Sequence, residues 1–286
     1  MPLSCVSETS PVSENTLAPG PKIIAIANQK GGVGKTTTAI NLGSAMAALG
    51  QKILIIDIDP QGNASTGLGI EIEKRELSTY DLLLEGRALA DITVTTEVEN
   101  LSIAPATQDL SSADIELVGN ENRVVLLRRA LRTDAVRDSG FDYILIDCPP
   151  SLNLLTVNAM VASDSVLVPL QSEFFALEGL SQLMLSIREV RQMANPTLRV
   201  EGVVLTMYDS RNNLSKQVED DARENLGDLV FDTIIPRNVR VSEAPSFALP
   251  VLHYDPTSRG ALAYKELAAE LLRRQDLLAV TTGETA

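Results

Sequence analysis

From residue 22 onward, short runs of β-branched and apolar residues alternate with longer stretches in which apolar positions recur every three to four residues. That alternation is the signature of βαβ units, in which each strand is followed by a helix packing back on a parallel sheet. The runs predict strands over 23–27, 52–57, 101–104, 143–147, 165–169, 200–206 and 230–235. The amphipathic stretches predict helices over 35–49, 78–84, 111–118, 121–139, 152–160, 176–193, 214–226 and 258–278. Several strands are apolar at nearly every position, as expected when helices cover both faces of a sheet. The expected fold is α/β, a single doubly wound, mostly parallel sheet flanked by helices, with no linker dividing 22–278 into two domains. Residues 1–21, rich in Ser, Pro, Thr and Glu and without periodicity, read as a disordered extension, and 279–286 as a flexible tail.

Composition narrows the chemistry. Hydrophobic residues make up 44% and charged residues 22% of the 286, a globular balance that argues against wholesale disorder. With two cysteines, Cys5 and Cys148, and one histidine, His253, the chain cannot assemble a four-ligand Cys/His zinc site. So few cysteines fit a reducing cytoplasm. The first 21 residues hold no Lys or Arg and no long apolar run, so no signal peptide is expected. No stretch approaches the roughly 20 apolar residues that a membrane span requires. The net charge of −14, from 24 basic and 38 acidic residues, disfavours nucleic acid when taken whole. Residues 188–274 are nearly balanced, however, with 12 Lys/Arg against 13 Asp/Glu. A local basic face remains compatible with the acidic whole, because phosphate binding responds to the patch and not to the average.

The strongest chemical signal follows the first predicted strand. There Lys30-Gly31-Gly32-Val33-Gly34-Lys35-Thr36-Thr37 leads directly into a helix. Glycines let backbone N–H groups converge on an anion, the helix start adds its positive end, and Lys35 neutralises β and γ phosphates. Thr36 supplies a hydroxyl for Mg2+. The strict pattern has glycine where this chain has Gln29, and Lys30 is an additional lysine inside the loop. Two further strands end in acids, at Asp57-Ile58-Asp59-Pro60-Gln61-Gly62 and at Asp147-Cys148-Pro149-Pro150. Ligand chemistry in open α/β sheets lies beyond such carboxyl ends. Asp147 suits a carboxylate that holds Mg2+ through water, with Asp57 and Thr36 as the other candidate metal residues. Asp59, in a turn, is placed to orient an attacking water. Each Asp taken alone could instead cap a following helix.

These residues resemble the ParA/Soj-type chromosome and plasmid partitioning ATPases, within the deviant Walker A group of P-loop NTPases that also contains MinD. The resemblance runs from Lys22 to Leu272. It rests on the loop from Gln29 to Leu42, Asp57-Ile58-Asp59-Pro60-Gln61-Gly62-Asn63-Ala64, Asp147-Cys148-Pro149-Pro150-Ser151-Leu152, Leu205-Thr206-Met207-Tyr208-Asp209 and Ile235-Pro236-Arg237-Asn238-Val239-Arg240. The last continues as Val241-Ser242-Glu243-Ala244-Pro245-Ser246, specific to the chromosomal branch. The resemblance implies a weak, partner-stimulated ATPase whose homodimer sandwiches two ATP with Mg2+. Lys30 would reach the partner's phosphates, and Lys35 and Asp59 would complete the catalytic set. Met207, Pro236 and Asn238 would join residues 30–37 around the nucleotide. Arg211 and Arg240 would contact nonspecific double-stranded DNA, and a ParB-type centromere-binding protein would stimulate release. The implied location is the cytoplasm, on the nucleoid, without a membrane partner.

Other readings are weaker. A MinD-like membrane ATPase that positions division needs a basic, strongly apolar C-terminal helix, whereas this chain ends polar and acidic after Arg273 and Arg274. An iron-carrying ATPase needs cysteines set across a dimer, yet Cys5 lies in the extension and Cys148 in a strand end. A DNA-binding module without catalysis conflicts with the presence of both Lys30 and Asp59. A Ser/His hydrolase would depend on His253, which has no nucleophile motif nearby.

Overall fold

A computed structural model describes residues 20–173 and 176–282, apart from the side chains of Asp114, Leu177 and 279–282. Seven strands form one sheet: β1 (Lys22–Ile26), β2 (Ile53–Asp57), β3 (Val94–Thr95), β4 (Leu101–Ala104), β5 (Tyr143–Asp147), β6 (Ser165–Gln171) and β7 (Arg199–Thr206). Their order is β3-β4-β2-β5-β1-β6-β7, with every pair parallel except the short β3–β4 edge. Alternate residues of β1 serve the two faces. Ile23 and Ala25 join one buried layer, and Ile24 and Ile26 the other. Helices cover both layers, so the doubly wound α/β reading of the sequence holds.

One layer is closed by α1 (Lys35–Ala48) and by the last helix, α9 (Arg259–Thr282), which contribute Ile40, Leu42, Met46, Tyr264, Leu267 and Leu271 to the same core. On the other face lie α3 (Leu126–Leu131), α5 (Leu154–Ala162) and α6 (Ala176–Met193). Polar side chains set several helix starts. Asn153 accepts from Thr156 N ahead of α5, and Ser258 Oγ accepts from Ala261 N ahead of α9. Asn212 does the same for α7 (Asn213–Leu226). The last helix runs four residues beyond the predicted 278. Residues 1–19 and 283–286, most of the expected extension and half of the expected tail, lie outside the described residues.

Four predicted elements differ from expectation. The helix expected over 121–139 is two short ones, α3 and α4 (Asp134–Arg137), because Thr133 turns extended and caps Val136 N with its own hydroxyl. The segment expected as helix over 78–84 becomes a wide π turn at Asp81–Glu85, and that over 111–118 shortens to Ala113–Glu116 behind a 3-10 turn. The strand expected over 230–235 is not formed. Phe231 N and Ile235 N do bond β7 at Val203 O and Leu205 O, but between them Asp232 N and Thr233 N each donate to the Glu270 carboxylate at 2.9 Å. A charged acceptor on α9 thus takes the Thr233 amide that a strand would have paired with β7, together with the outward-facing amide of Asp232. Glu270 also binds Arg274 at 2.6 Å. Glu270→Ala is therefore expected to destabilise the chain by about 2 kcal/mol, read as a lower denaturant midpoint, with faster amide exchange at 232 and 233. Unchanged exchange there would remove this assignment.

Candidate functional site

β1, β2 and β5 are parallel neighbours, so their carboxyl ends open on one side of the sheet. The loop from Lys30 to Gly34 connects β1 to α1, and Gly32 and Gly34 adopt φ of 73° and 90°. A side chain in that left-handed region is strained, and its absence leaves the backbone N–H groups free to face an anion. Asn28 anchors the loop by donating to Pro169 O and accepting from Lys30 N. Thr206 holds it from the far side by donating to Val33 O at 2.8 Å.

The two loop lysines have opposite fates. Lys35 is buried and donates to Lys30 O at 3.0 Å, and burial lowers its pKa against the pull of Asp147, Cys148 and Asp59. Lys30 is partly exposed and its ammonium reaches Glu173 at 2.6 Å, just past β6. Glu173 is absent from the sequence-derived site. Its signal was nonetheless legible, since it follows a strand carboxyl end as Asp57 and Asp147 do.

Asp57 and Asp147 are direct partners across β2 and β5, and both are fully buried. Asp57 is engaged: one oxygen accepts from Asp59 N, the other from Ser65 N and Ser65 Oγ. Ser65 lies on α2 (Asn63–Gly67), so this carboxylate pins the turn carrying Asp59 to the sheet. Burial nevertheless pushes the Asp57 pKa up to about 6. Asp147 has no such anchor, and neither of its oxygens has a hydrogen-bond partner. Burial, then the charge of Asp57, raises its pKa well above the usual carboxylate range, opposed by the nearby Thr36 hydroxyl and Lys35. A buried, unpartnered carboxylate beside a threonine hydroxyl is the donor set that a hydrated divalent cation satisfies. The residues therefore fit Mg2+ at Asp147 and Thr36, whereas Asp57 spends its oxygens on the loop. Among the described residues no cluster of three or more His, Cys, Asp or Glu could hold a metal by itself, so such a site also needs ligand oxygens from outside the chain.

Asp59 accepts from Gln61 N at 3.0 Å and is nearly buried. Behind its turn the buried Arg75 donates to Ile70 O, Ala106 O and Thr66 Oγ1. At the end of β7, Met207 adopts φ of 51° and lies beside Gly34. Tyr208 N donates to Ile235 O and Arg237 N to Tyr208 O, which draws Pro236 alongside Tyr208. Met207 thus lies beside the loop, with Pro236 following along Tyr208 and Asn238 two residues further on. Asn238 caps α8 (Val239–Glu243) through Arg240 N and Val241 N.

Gly260 lies against α8, where an added Cβ would sit 2.3 Å from Val241 Cγ2. Gly260→Ala is expected to shift α8 and cost about 1–2 kcal/mol, measured as a drop in Tm against Gly119→Ala, whose site is open. Equal Tm values for the two variants would contradict the packing.

Arg211 and Arg240 both reach the surface at this end of the sheet. Neither guanidinium is bare. Arg211 is forked on Asp209 at 2.9 and 2.8 Å, which pushes the Asp209 pKa down to about 2. Arg240 binds Glu243 at 2.8 Å and Asp255 at 3.4 Å. The single histidine, His253, lies on the short helix Val251–Tyr254, and Cys148 is buried with its thiol pKa pushed up by burial.

Comparison with known proteins agrees with this geometry. A family model described as an AAA domain matches residues 21–200. The chain is 58% identical over 255 residues to the chromosome partitioning protein ParA of Caulobacter vibrioides, covering 89% of this chain and 95% of the relative. It is 54% identical to the sporulation initiation inhibitor protein Soj of Bacillus subtilis, over 87% of this chain and 98% of that one. Among solved structures, a Mycobacterium smegmatis protein described as cobyrinic acid a,c-diamide synthase with bound ATP analog and magnesium superposes with a TM-score of 0.77. The two are 37% identical, over 90% of this chain and 96% of that one.

Proposed function

Because the chain belongs to the ParA/Soj family of chromosome-partitioning ATPases, we propose that it is an ATP-dependent dimerising switch that holds nonspecific DNA when closed and lets go on hydrolysis. The amides of Gly31 to Thr37 and the Lys35 ammonium cradle the phosphates, and Met207, Pro236 and Asn238 flank the base. Thr36 and Asp147 would hold Mg2+, which would supply charge neutralisation at the transferring phosphate. Asp57 serves that site through the loop it pins. Asp59 orients the attacking water, and its tie to Gln61 N accords with weak intrinsic turnover. A ParB-type partner stimulates that turnover at the nucleoid.

The observation that carries the reading is the division of labour between the two lysines. Lys35 is committed inward, whereas Lys30 is held outward by one carboxylate. A cation presented outward on a phosphate loop can serve a neighbouring subunit, as an arginine finger does. Arg211 and Arg240 contact backbone phosphate, and exchange their carboxylate partners to do so.

The test is cosedimentation of Asp59→Ala protein with duplex DNA, and separately with anionic liposomes, under ATP, ADP or no nucleotide. Retention on DNA with ATP alone, weakened by salt as counterion release requires, is expected. Retention on liposomes instead would move the assignment to a membrane ATPase. In the same assay Arg240→Glu should abolish DNA retention with ATP binding intact. Joint loss of both would mean that Arg240 serves folding.

A further inference from the structure

We propose that residues 3–14 of this chain dock in an apolar groove remote from the phosphate loop, tethering the N-terminal segment to the body of the protein. The groove encloses about 770 Å³ and is lined by Leu82, Leu83, Leu89, Ala130, Val136 and Phe141 among others. It exists because two helices expected to be continuous are not. The π turn at Asp81–Glu85 and the break at Thr133 flank the groove; Leu82, Leu83, Leu89 and Val136 form its buried floor, and Ala130 and Phe141 are its partly exposed walls.

Three observations name the occupant. The first is position. Gly20 lies against Arg137, where an added Cβ would meet that side chain at 3.2 Å, and a smaller cavity there is lined by Gly20, Pro21 and Thr133. Thr133 also lines the groove, as does Val136, the neighbour of Arg137. The segment therefore joins the body within about one helical turn of the groove, whereas 19 extended residues span roughly 60 Å. Such a short tether makes the local concentration of the segment very high, on the order of millimolar.

The second observation is charge. Arg87 and Arg129, both exposed, are the charged residues of the groove, and no acid lines it. Residues 1–19 contain Glu8 and Glu14 and no Lys or Arg, with Leu3, Val6 and Val12 between and around them. The third is the extent of the family body. The matching family model begins at residue 21, so the segment lies outside the part of the chain that the family model covers. Burial of three aliphatic side chains is enough to hold a segment already tethered beside the groove.

Cys5 lies within the segment, and Cys148 is fully buried, so thiol chemistry on the folded full chain addresses Cys5. We would attach a benzophenone maleimide there, irradiate, and map the adducts by mass spectrometry. The expected result is intramolecular adducts on residues 82–93 and 126–141, in a yield independent of protein concentration. Arg87→Glu with Arg129→Glu should cut that yield at least fivefold, and adding Glu8→Arg with Glu14→Arg should restore it. Both arginines are exposed, so the variants should fold, which circular dichroism checks. Adducts scattered over the surface, adducts confined to concentration-dependent dimers, or a yield indifferent to the charge swap would each overturn the proposal.

Discussion

Lys30→Ala is expected to lower ATP turnover stimulated by DNA and partner by about 10³-fold, the lower end of the range for a transition-state cation supplied from outside the site. The fold should not register the change. Lys30 is partly exposed and its pair with Glu173 is a surface ion pair, a class worth roughly 0–1 kcal/mol. Nucleotide affinity of the single subunit should stay within about threefold, because Lys35 and the loop amides remain. Phosphate release and fluorescent-nucleotide titration, run side by side, separate the two effects. The reciprocal variant sharpens the result. Glu173→Ala removes the carboxylate that holds Lys30 within its own chain, so ATP-dependent dimers should form at lower protein concentration in sedimentation velocity. Lys30→Ala protein that still turns over at the wild-type stimulated rate would exclude a role in trans.

The second large effect concerns Asp147. Its carboxylate is buried without a partner, and burial raises its pKa. A raised carboxyl pKa means that, above the ordinary range near 3.8, the folded chain holds more protons than the unfolded one. Stability therefore falls as pH rises through that window. Asp147→Asn removes the unpaired charge and keeps the shape. The nucleotide-free variant should be more stable than wild type at pH 8, by about 2 kcal/mol, or about 5 °C in Tm for a chain of this size. The gap should narrow as pH falls toward the ordinary carboxylate range, where the wild-type Asp147 carboxyl regains its proton. The same variant should lose most of the Tm increment that wild type gains from ATP with Mg2+, because the cation loses its protein carboxylate. A variant less stable than wild type at pH 8, or a gap independent of pH, would mean that Asp147 is satisfied by some other group.

Strand placement, phosphate loop and acidic strand ends were legible because each follows from local sequence. Apolar runs bounded by polar residues gave β1, β2, β4 and β5 within a residue at each end. The losses came where a distant side chain competes with local pairing. Nothing within 230–235 reveals that Glu270, some 37 residues later, takes two of its amides. Periodicity over 121–139 is helical, and only the capping geometry of Thr133 divides it. At the site, the residue types of Lys30, Asp57 and Asp147 were readable, but their occupancy was not. Asp57 is spent on Ser65, Asp147 is spent on nothing, and Lys30 is claimed by Glu173. Those differences depend on which strands become neighbours, and the order of the sheet is not written in any single segment.

The packing of α9 against α1 has a consequence for how the chain is made. The helix that follows the phosphate loop is among the first elements to leave the ribosome, yet its cover of Tyr264, Leu267 and Leu271 is among the last. At about 5–20 residues per second, the apolar side of α1 waits roughly 10–50 s for that cover. The parallel strands around it also pair only through long connections, which form slowly. A nascent chain of this protein thus carries an open apolar seam for most of its synthesis. Mistranslation, early termination or proteolysis near the C-terminus would expose the half of the core beneath the nucleotide site, however intact the loop itself.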